Sequence, residues 1–368
     1  MMQPDGHDDE ESQVGDAPAV GDAKEPTLAL PAVKSVVAIP TLNEAAYIRE
    51  TLEQLRPQLG DGDKIVVADG GSDDRTVEIV REIAAEDARV TVVHNAARLQ
   101  SAACNLVAAE AVGSFDVMIR ADAHADYPDG FVSALVAAFR DTGADSVVVP
   151  MVALGKTPFQ RAAAAAQNSV LGNGGAAHRR GASSGFVDHG HHALFKLAAY
   201  QKIGGYNAEF SHNEDFEFDH RLVRAGGKIW MCREASIGYW PRTSAIALAK
   251  QYLKHGRGRM RTIMLHKIRP KLRQVLPVFA LLGSVGGLVL SVVAPVMLLL
   301  PISYVLLCCV WGGVLAIKAR DTALLASGPA AIIMHLSWAT GFILQGLRSV
   351  GRSRADDSLV ATSEAKRG

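Results

Sequence analysis

The sequence predicts an α/β fold with a mainly parallel central sheet, followed by transmembrane helices. Between residues 34 and 145, short β-branched runs alternate with Ala/Leu/Glu-rich segments of helical character, a pattern typical of βαβ units. From Val275 to Ile317 there is no charged side chain, which is enough chain for two bilayer-spanning helices. A stretch rich in Lys and Arg directly precedes this run, as expected beside a membrane.

Composition excludes several classes of protein. The chain has 38 basic and 38 acidic side chains, and this balance argues against a nucleic-acid-binding protein. At 49% hydrophobic residues it is too apolar to be disordered as a whole. The spacing of the four cysteines fits neither a disulfide framework nor a zinc site, so a reducing compartment is expected.

The zero net charge is an average over segments of different character. Residues 1–30 contain eight acidic side chains and one basic side chain, Lys24, and they lack apolar periodicity. This pattern predicts a disordered arm rather than a signal peptide. The organisation predicted after this arm is an α/β domain over 31–250, a basic amphipathic juxtamembrane segment over 251–274, two to three transmembrane helices over 275–347 and a polar tail over 348–368.

Four runs are predicted to form the sheet, and the polar residues that end them are the candidate site. The runs are SVVAIP (35–40), KIVVAD (64–69), RVTVVH (89–94) and FDVMIRAD (115–122). In open parallel sheets ligands bind at the carboxyl ends of the strands, where the strand order reverses.

The first two runs end in segments suited to a nucleotide, PTLNE (40–44) and DGGSDDRT (69–76). Carboxylates accept hydrogen bonds from a base or ribose, and glycine lets the backbone approach a ligand closely. The alternative is that Ser72, Asp73 or Asp74 caps the next helix, whereas function is favoured for Asp69. The absence of GxGxxG and P-loop motifs argues against NAD binding and a Walker-type ATPase.

The fourth run ends in Asp122 and His124, which are two residues apart and so face the same way on an extended chain. They are predicted to hold one divalent cation, which offsets the charge of a departing diphosphate. An imidazole ligand favours Mn²⁺ over Mg²⁺. The alternative is a solvated turn before Tyr127.

An acidic, aromatic cluster spans residues 211–219, with four acids at helical spacing. Acids in a first helical turn are favoured by the helix dipole, which is the structural explanation for some of them. A carboxylate beside aromatic rings can also serve as a general base. We expect one acid of this cluster to be catalytic.

The glycine- and histidine-rich stretch 172–192 is predicted to be a loop that closes over the substrates, with Arg179 and Arg180 meeting phosphates. For His189, His191 and His192, a loop is favoured over a zinc site, because no second pair of ligands follows at a defined spacing.

The membrane segments predict orientation as well as location. Eight Lys and Arg lie between residues 254 and 273, and such residues stay cytoplasmic, which places the α/β domain in the cytoplasm. Two helices over 275–317 return the chain inside. The third uncharged run, 322–347, is ambiguous, because a full crossing would send Arg348 outside. It is left open whether this run crosses, tilts, re-enters or lies at the interface.

The motifs PTLNE, VADGGSDDRT, DAH and NED occur in this order over residues 34–265, and together they resemble family-2 glycosyltransferases of the GT-A fold. The stretches RADAHADYP, LGNGG, GGYNAEFSHNED and QYLKHGRGR are similar to bacterial exopolysaccharide glycosyltransferases of the succinoglycan-biosynthesis type. The resemblance implies an inverting hexosyltransferase with a nucleotide-diphosphate sugar donor, expected to be a UDP-hexose.

The resemblance also implies roles for individual residues. Nucleotide-sugar binding falls to Pro40, Thr41, Asn43, Glu44, Asp69, Gly71, Arg98, Gln100 and Asp122, with Asn105 in a matching but less specific position. Asp122 and His124 would hold Mn²⁺ or Mg²⁺. Asp215 would be the general base and Glu214 its orienting neighbour. The acceptor or its diphosphate would meet Arg179, Arg180, Gln251, Arg257 and Arg259.

Two departures from the family pattern qualify these roles. His124 replaces the second Asp of the usual metal motif, which leaves the metal and the need for one open. The Gln-x-x-Arg-Trp motif of processive synthases is absent after Gln251, so a single sugar addition is favoured.

The expected partners are a nucleotide-diphosphate sugar, a polyprenyl-linked saccharide acceptor, membrane lipids and proteins of polysaccharide assembly, at the inner membrane. One alternative is a polyprenyl-phosphate sugar synthase of the dolichyl-phosphate-mannose type. A non-enzymatic alternative is a membrane-anchored nucleotide-sugar-binding or scaffold protein. A transporter is disfavoured, because the apolar runs contain no acidic residue.

Overall fold

The computed structural model describes residues 33–174 and 183–364, so the acidic arm predicted for 1–30 and the pair Arg179 and Arg180 lie outside it. The strands within the described ranges are β1 (Ser35–Thr41), β2 (Lys64–Asp69), β3 (Val90–His94), β4 (Val117–Arg120), β5 (Ala125–Asp126), β6 (Ser146–Val149), β7 (Met151–Ala153), β8 (Gly185–Val187), β9 (His191–Lys196), β10 (Ile229–Met231) and β11 (Ile237–Tyr239). The α-helices are α1 (Ile48–Leu55), α2 (Thr76–Glu86), α3 (Gln100–Ala111), α4 (Phe131–Thr142), α5 (Pro158–Asn168), α6 (Val170–Asn173), α7 (Leu197–Lys202), α8 (Glu214–Arg224), α9 (Ala245–His266), α10 (Leu272–Leu290), α11 (Leu299–Ala319) and α12 (Ser327–Glu364).

The main sheet has the strand order β3-β2-β1-β4-β9-β6-β10-β8 over the described residues. The four predicted runs form β1, β2, β3 and β4 in chain order. These strands pair in parallel in the order β3-β2-β1-β4, whereas β9 is antiparallel to both of its neighbours. The predicted α/β fold class is confirmed. Helical crossovers connect the parallel strands and bring their carboxyl ends to one edge, with Thr41 in register with Asp69.

Both faces of this sheet are buried, which explains the continuous apolar character of its strands. In β1, Val37 and Ile39 belong to one core cluster while Val36 and Ala38 belong to the cluster on the opposite face. This alternation fixes the register, because a slip of one residue would exchange the two faces.

Three C-terminal helices are long and apolar enough to cross a membrane, and they are not equivalent. In the most apolar window of the first two, 11% of the residues are buried, compared with 39% for the span Thr322–Ser349. That third span packs along α9, where a Cβ at Gly256 would lie 2.0 Å from the carbonyl oxygen of Trp338 and one at Gly341 would lie 2.0 Å from that of Leu253. Glycine at these positions allows the two helices to touch backbone to backbone.

The same helix also contacts the α/β domain at its beginning. Ala330, Ala331 and Met334 of α12 form a small core with Leu248 of α9 and with α5. Helix α12 therefore packs on α9 along its apolar part and on the α/β domain at its beginning, and its backbone continues through the predicted polar tail to Glu364.

Candidate active site

The carboxyl ends of β1 and β4 open into a cavity of about 1070 Å³ that continues between α9 and the apolar helices α10, α11 and α12. The sequence-predicted site residues that line it are Pro40, Thr41, Glu44, Arg98, Gln100, Asp122, His124, Glu214, Asp215, Gln251 and Arg259. Those that the structure describes but that do not line it are Asn43, Asp69, Gly71 and Arg257.

Asp69 shapes the loop at the end of β2. Its Oδ2 accepts hydrogen bonds from the backbone N–H groups of Gly71 and Ser72, both at 2.9 Å. Its Oδ1 accepts from the hydroxyls of Ser72 at 2.5 Å and Thr41 at 3.1 Å. Burial raises the pKa of Asp69, but the hydrogen bonds, led by that of Ser72, outweigh it and hold the pKa below its usual value. The ionised carboxylate thus fixes the floor of the predicted nucleotide site.

The residues after Asp69 join the two loops at this edge of the sheet. Asn43 Oδ1 accepts a hydrogen bond from the backbone of Asp73 at 2.9 Å, and the backbone of Asn43 donates to Ser72 Oγ at 2.8 Å. Asp74 accepts from the backbone of Thr76 at 2.9 Å, at the start of α2. Asp74 is therefore the residue of this trio that binds the first turn of α2. Asp74 also accepts a hydrogen bond from the backbone N–H of Ala45 at 3.0 Å, so all three residues hold the β1 loop in place.

A buried arginine, which the sequence analysis did not single out, connects the predicted metal motif to the predicted base. The Arg120 side chain is 4% exposed, and its Nη2 lies 3.2 Å from Asp122 Oδ1 while its Nη1 lies 2.5 Å from Asp215 Oδ1. Gln100 donates a further hydrogen bond to Asp122 Oδ1 at 2.8 Å. The available signal was a basic residue at the end of an otherwise apolar strand, because such a charge needs buried partners.

Tyr206 completes the surroundings of Asp215. Its hydroxyl donates to Asp215 Oδ1 at 2.7 Å. Asn105 holds Tyr206 by accepting from its backbone N–H at 2.9 Å and donating to its carbonyl oxygen at 2.8 Å. Asn105 therefore acts through Tyr206, which also accepts a 3.1 Å hydrogen bond from Arg120.

The two neighbouring acids of the NED motif differ in their electrostatics. Burial raises the pKa of Asp215, but the adjacent Arg120 guanidinium outweighs it and holds the pKa well below its usual range. Burial, followed by repulsion from the Asp215 charge, raises the pKa of Glu214 to about 7. Asp215 is thus a carboxylate at neutral pH, and Glu214 is close to its midpoint.

The histidine stretch is ordered by a buried aspartate. Asp219 is fully buried at the centre of α8, with Oδ2 2.6 Å from Nδ1 of His189 and Oδ1 2.8 Å from Nε2 of His192. His191, next to His192 in the chain, lies between the predicted metal motif and the predicted base. Its ring nitrogens are 3.5 Å from Asp122 Oδ2 and 3.7 Å from Asp215 Oδ2. Burial lowers the pKa of His191 to about 4, so this imidazole is neutral at physiological pH.

The loop predicted for 172–192 is wrong at residues 172–173, which end α6, and at residues 185–187 and 191–192, which form β8 and the start of β9. Strand β9 is inserted between β4 and β6, which supply its backbone partners. Glycines and histidines concealed this pairing, because it depends on residues distant in sequence.

The donor set at Asp122 and His124 fits a divalent cation that is also bound by substrate. His124 Nδ1 lies 3.0 Å from Glu44 Oε1, and a carboxylate on one imidazole nitrogen is the arrangement that orients the other toward a metal. The hydrogen bond to Glu44 raises the pKa of His124, against the opposing effect of burial. No group of three or more His, Cys, Asp or Glu side chains able to hold a metal occurs within residues 33–174 and 183–364.

The chain is similar to known proteins both in sequence and in fold. The family model for Glycosyl transferase family 2 matches residues 36–204. The succinoglycan biosynthesis protein ExoA of Rhizobium meliloti (strain 1021) is 44% identical over 315 residues, covering 85% of this chain and 95% of ExoA. Among solved structures, the mannosyltransferase PcManGT from Pyrobaculum calidifontis, in complex with GDP-Man and Mn²⁺, has a TM-score of 0.54 at 16% identity, covering 85% of this chain and 86% of PcManGT.

The relationship to ExoA extends over most of both chains, and the likeness to PcManGT supports the same fold at low sequence identity. The resemblance stated from the motifs is confirmed. The chain belongs to glycosyl transferase family 2 and is a glycosyltransferase of the GT-A fold.

Proposed function

We propose that this glycosyltransferase moves a hexose from a nucleotide diphosphate, expected to be UDP, to a lipid-linked saccharide, with inversion at the anomeric carbon and as a single addition in exopolysaccharide synthesis. The observation that carries the proposal is the continuity of one cavity. It leads from Pro40 and Thr41 past Asp215 to side chains of the three apolar helices, so one space faces both a nucleotide and a lipid. The relationship to ExoA supports the exopolysaccharide role.

In the proposed reaction the acceptor hydroxyl loses its proton to Asp215, and its oxygen attacks the anomeric carbon from the face opposite the diphosphate. The bond from that carbon to the diphosphate oxygen breaks, and the nucleotide diphosphate leaves with the electron pair. Arg120 and Tyr206 hold the Asp215 carboxylate in place. Because Arg120 lowers the pKa of Asp215, proton transfer is expected to be concerted with departure of the leaving group rather than to precede it.

Asp122 and His124 would hold the divalent cation, which supplies positive charge to the departing diphosphate when bound. PcManGT was solved with Mn²⁺, which supports a divalent cation of this kind. Glu44 keeps His124 oriented, and Arg120 with Gln100 fixes Asp122.

The location proposed is the cytoplasmic membrane, with the catalytic domain inside. Helices α10 and α11 would cross as a hairpin. Helix α12 would lie at the interface, because it packs along α9, whose Lys250, Lys254 and Arg257 cannot enter hydrocarbon without large cost. An interfacial α12 also keeps Arg348 on the cytoplasmic side, in agreement with the positive-inside rule.

The proposal is tested by transfer assays on purified protein with UDP- and GDP-sugars and Mn²⁺ or Mg²⁺. Transfer to a primed polyprenyl-diphosphate saccharide, without transfer to bare polyprenyl phosphate, is the expected result. The reverse pattern would instead identify a polyprenyl-phosphate sugar synthase, and the absence of both would overturn the proposed acceptor.

A further inference from the structure

Two arginines face the cavity at the level between the catalytic acids and the apolar helices. Arg259 belongs to α9, and its guanidinium lies 3.5 Å from the ring centroid of Phe216, the residue after Asp215. Arg273 lies in the first turn of α10, where it contacts the end of α6, since a Cβ added to Gly174 would be 3.1 Å from its Cβ. Arg259 therefore packs on the residue that follows the proposed base, and Arg273 lies at the beginning of the proposed membrane hairpin.

Neither arginine forms an ion pair in the part of the chain that the structure describes, although the buried Asp219 carboxylate partly offsets the charge of Arg259. Arg120, Arg221 and Arg261 all form ion pairs with carboxylates there, whereas Arg259 and Arg273 form no ion pair or hydrogen bond. Burial, and then the charge of Arg273, lowers the pKa of Arg259 to about 9. Two like charges close together in a partly desolvated site favour an anion that contacts both.

Beyond this pair the cavity is mainly apolar, and Gln274, Tyr304 and His335 are its polar lining residues there. It is lined there by Leu276 and Ala280 of α10, Leu307 of α11 and Trp338 of α12. A ligand that fills it has an anionic group at the arginines and a hydrocarbon chain among the helices. The predicted donor residues lie at the opposite end, beside Asp122.

We propose that Arg259 and Arg273 bind the phosphate of a lipid-linked acceptor, with the isoprenoid chain lying between α10, α11 and α12. This inference rests on the proposed function and names the residues that bind the acceptor. It gives a role to Arg273, which the sequence motifs did not indicate. It also places the phosphate on Arg259 rather than on Arg257, because Arg257 does not line the cavity. Guanidinium groups suit this role, since they bind phosphate oxygens through paired, charge-assisted hydrogen bonds.

The test is direct binding to the full-length protein in detergent, measured by microscale thermophoresis. The probes are undecaprenyl diphosphate, undecaprenol and UDP. Arg259→Gln and Arg273→Gln are compared with Arg259→Lys, which keeps the charge, and with Lys254→Gln, which removes an exposed charge from the same basic segment. Each Gln variant is expected to weaken undecaprenyl diphosphate binding at least about tenfold, because a charge-assisted contact is lost. Arg259→Lys should lose less, Lys254→Gln should bind like wild type, and UDP binding should be unchanged throughout.

Equal affinity for undecaprenol and undecaprenyl diphosphate would overturn the inference, and so would unchanged undecaprenyl diphosphate binding in both Gln variants. Loss of UDP binding in the Gln variants would also overturn it, because the arginines would then belong to the donor site. Should one Gln variant fail to fold, the other and Arg259→Lys still decide the question. Failure of the proposed reaction would appear separately, as absent sugar transfer with normal lipid binding.

Discussion

Nη1 of Arg120 lies 2.5 Å from Oδ1 of Asp215, and the arginine side chain is 4% exposed. The same guanidinium contacts Asp122, so one buried cation separates two carboxylates that would otherwise repel each other. The proposed leaving-group site and the proposed base are thereby held at a fixed distance.

Replacing Arg120 with Met should strongly destabilise the protein, because the partly buried carboxylates of Asp122 and Asp215 would lose their shared cationic partner. We expect the free energy of unfolding to fall by about 3–5 kcal/mol. Arg161→Met is the control: Arg161 pairs with Asp321 on the surface, at 3.1 Å, and should cost less than about 1 kcal/mol. Denaturant titration of the full chain in detergent measures both. Similar losses would show that Arg120 is not a structural link.

Ionisation of Glu214 should lower the free energy of unfolding as pH rises toward neutrality. Its pKa in the folded protein is raised from 4.5 to about 7, so between these values the folded state binds more protons than the unfolded state. His191 has the opposite effect, because its pKa is lowered to about 4. The difference between wild type and Glu214→Gln isolates Glu214.

In melting curves from pH 4.5 to 7.5, Glu214→Gln should gain stability relative to wild type as pH rises. The exposed Glu209→Gln serves as the matched control and should follow wild type at every pH. A constant offset between the Glu214→Gln and wild-type curves would contradict the raised pKa.

His124 should set the metal preference of donor binding. Replacing it with Asp supplies a harder oxygen ligand and should shift preference from Mn²⁺ toward Mg²⁺, because imidazole suits the softer ion. Isothermal titration of UDP in the presence of each metal measures this without catalysis. Glu44→Gln should weaken Mn²⁺-dependent UDP binding less than His124→Ala, since it removes only the group that orients the imidazole. An unchanged metal preference in His124→Asp would remove His124 from the metal site.

Single cysteines should report a two-crossing topology. In a Cys309→Ser background, where the remaining cysteines are buried, Val292→Cys in the turn between α10 and α11 should react with an impermeant maleimide in intact cells. Arg348→Cys on α12 should react only after permeabilisation. Labelling of residue 348 in intact cells would show that α12 crosses, and protection of residue 292 would show a re-entrant hairpin.

The parallel half of the sheet was predictable because each strand carries a continuous β-branched run and each crossover is local. Asp122 and Asp215 were predictable as site residues from motifs, and both line the cavity. Strand β9 was not, because its pairing depends on β4 and β6, which lie far away in sequence. Arg120 was hidden for the same reason: its partner Asp215 is 95 residues away, and only the fold brings them together.

The position of α12 could not be predicted from the sequence either. Hydropathy alone gives it the length and apolarity of a membrane span. Its packing on α9 depends on Gly256 and Gly341, whose missing side chains create the contact, and no periodicity reveals which small residues meet.

Asp215 is expected to accept the proton of the acceptor hydroxyl. The most direct measurement is single-turnover sugar transfer by Asp215→Asn and Glu214→Gln, with UDP affinity measured on the same samples. Asp215→Asn should reduce the transfer rate at least about 1000-fold with UDP affinity nearly unchanged, while Glu214→Gln keeps substantial activity. Transfer by Asp215→Asn at the wild-type rate, or loss of transfer in Glu214→Gln alone, would show that Asp215 is not the general base.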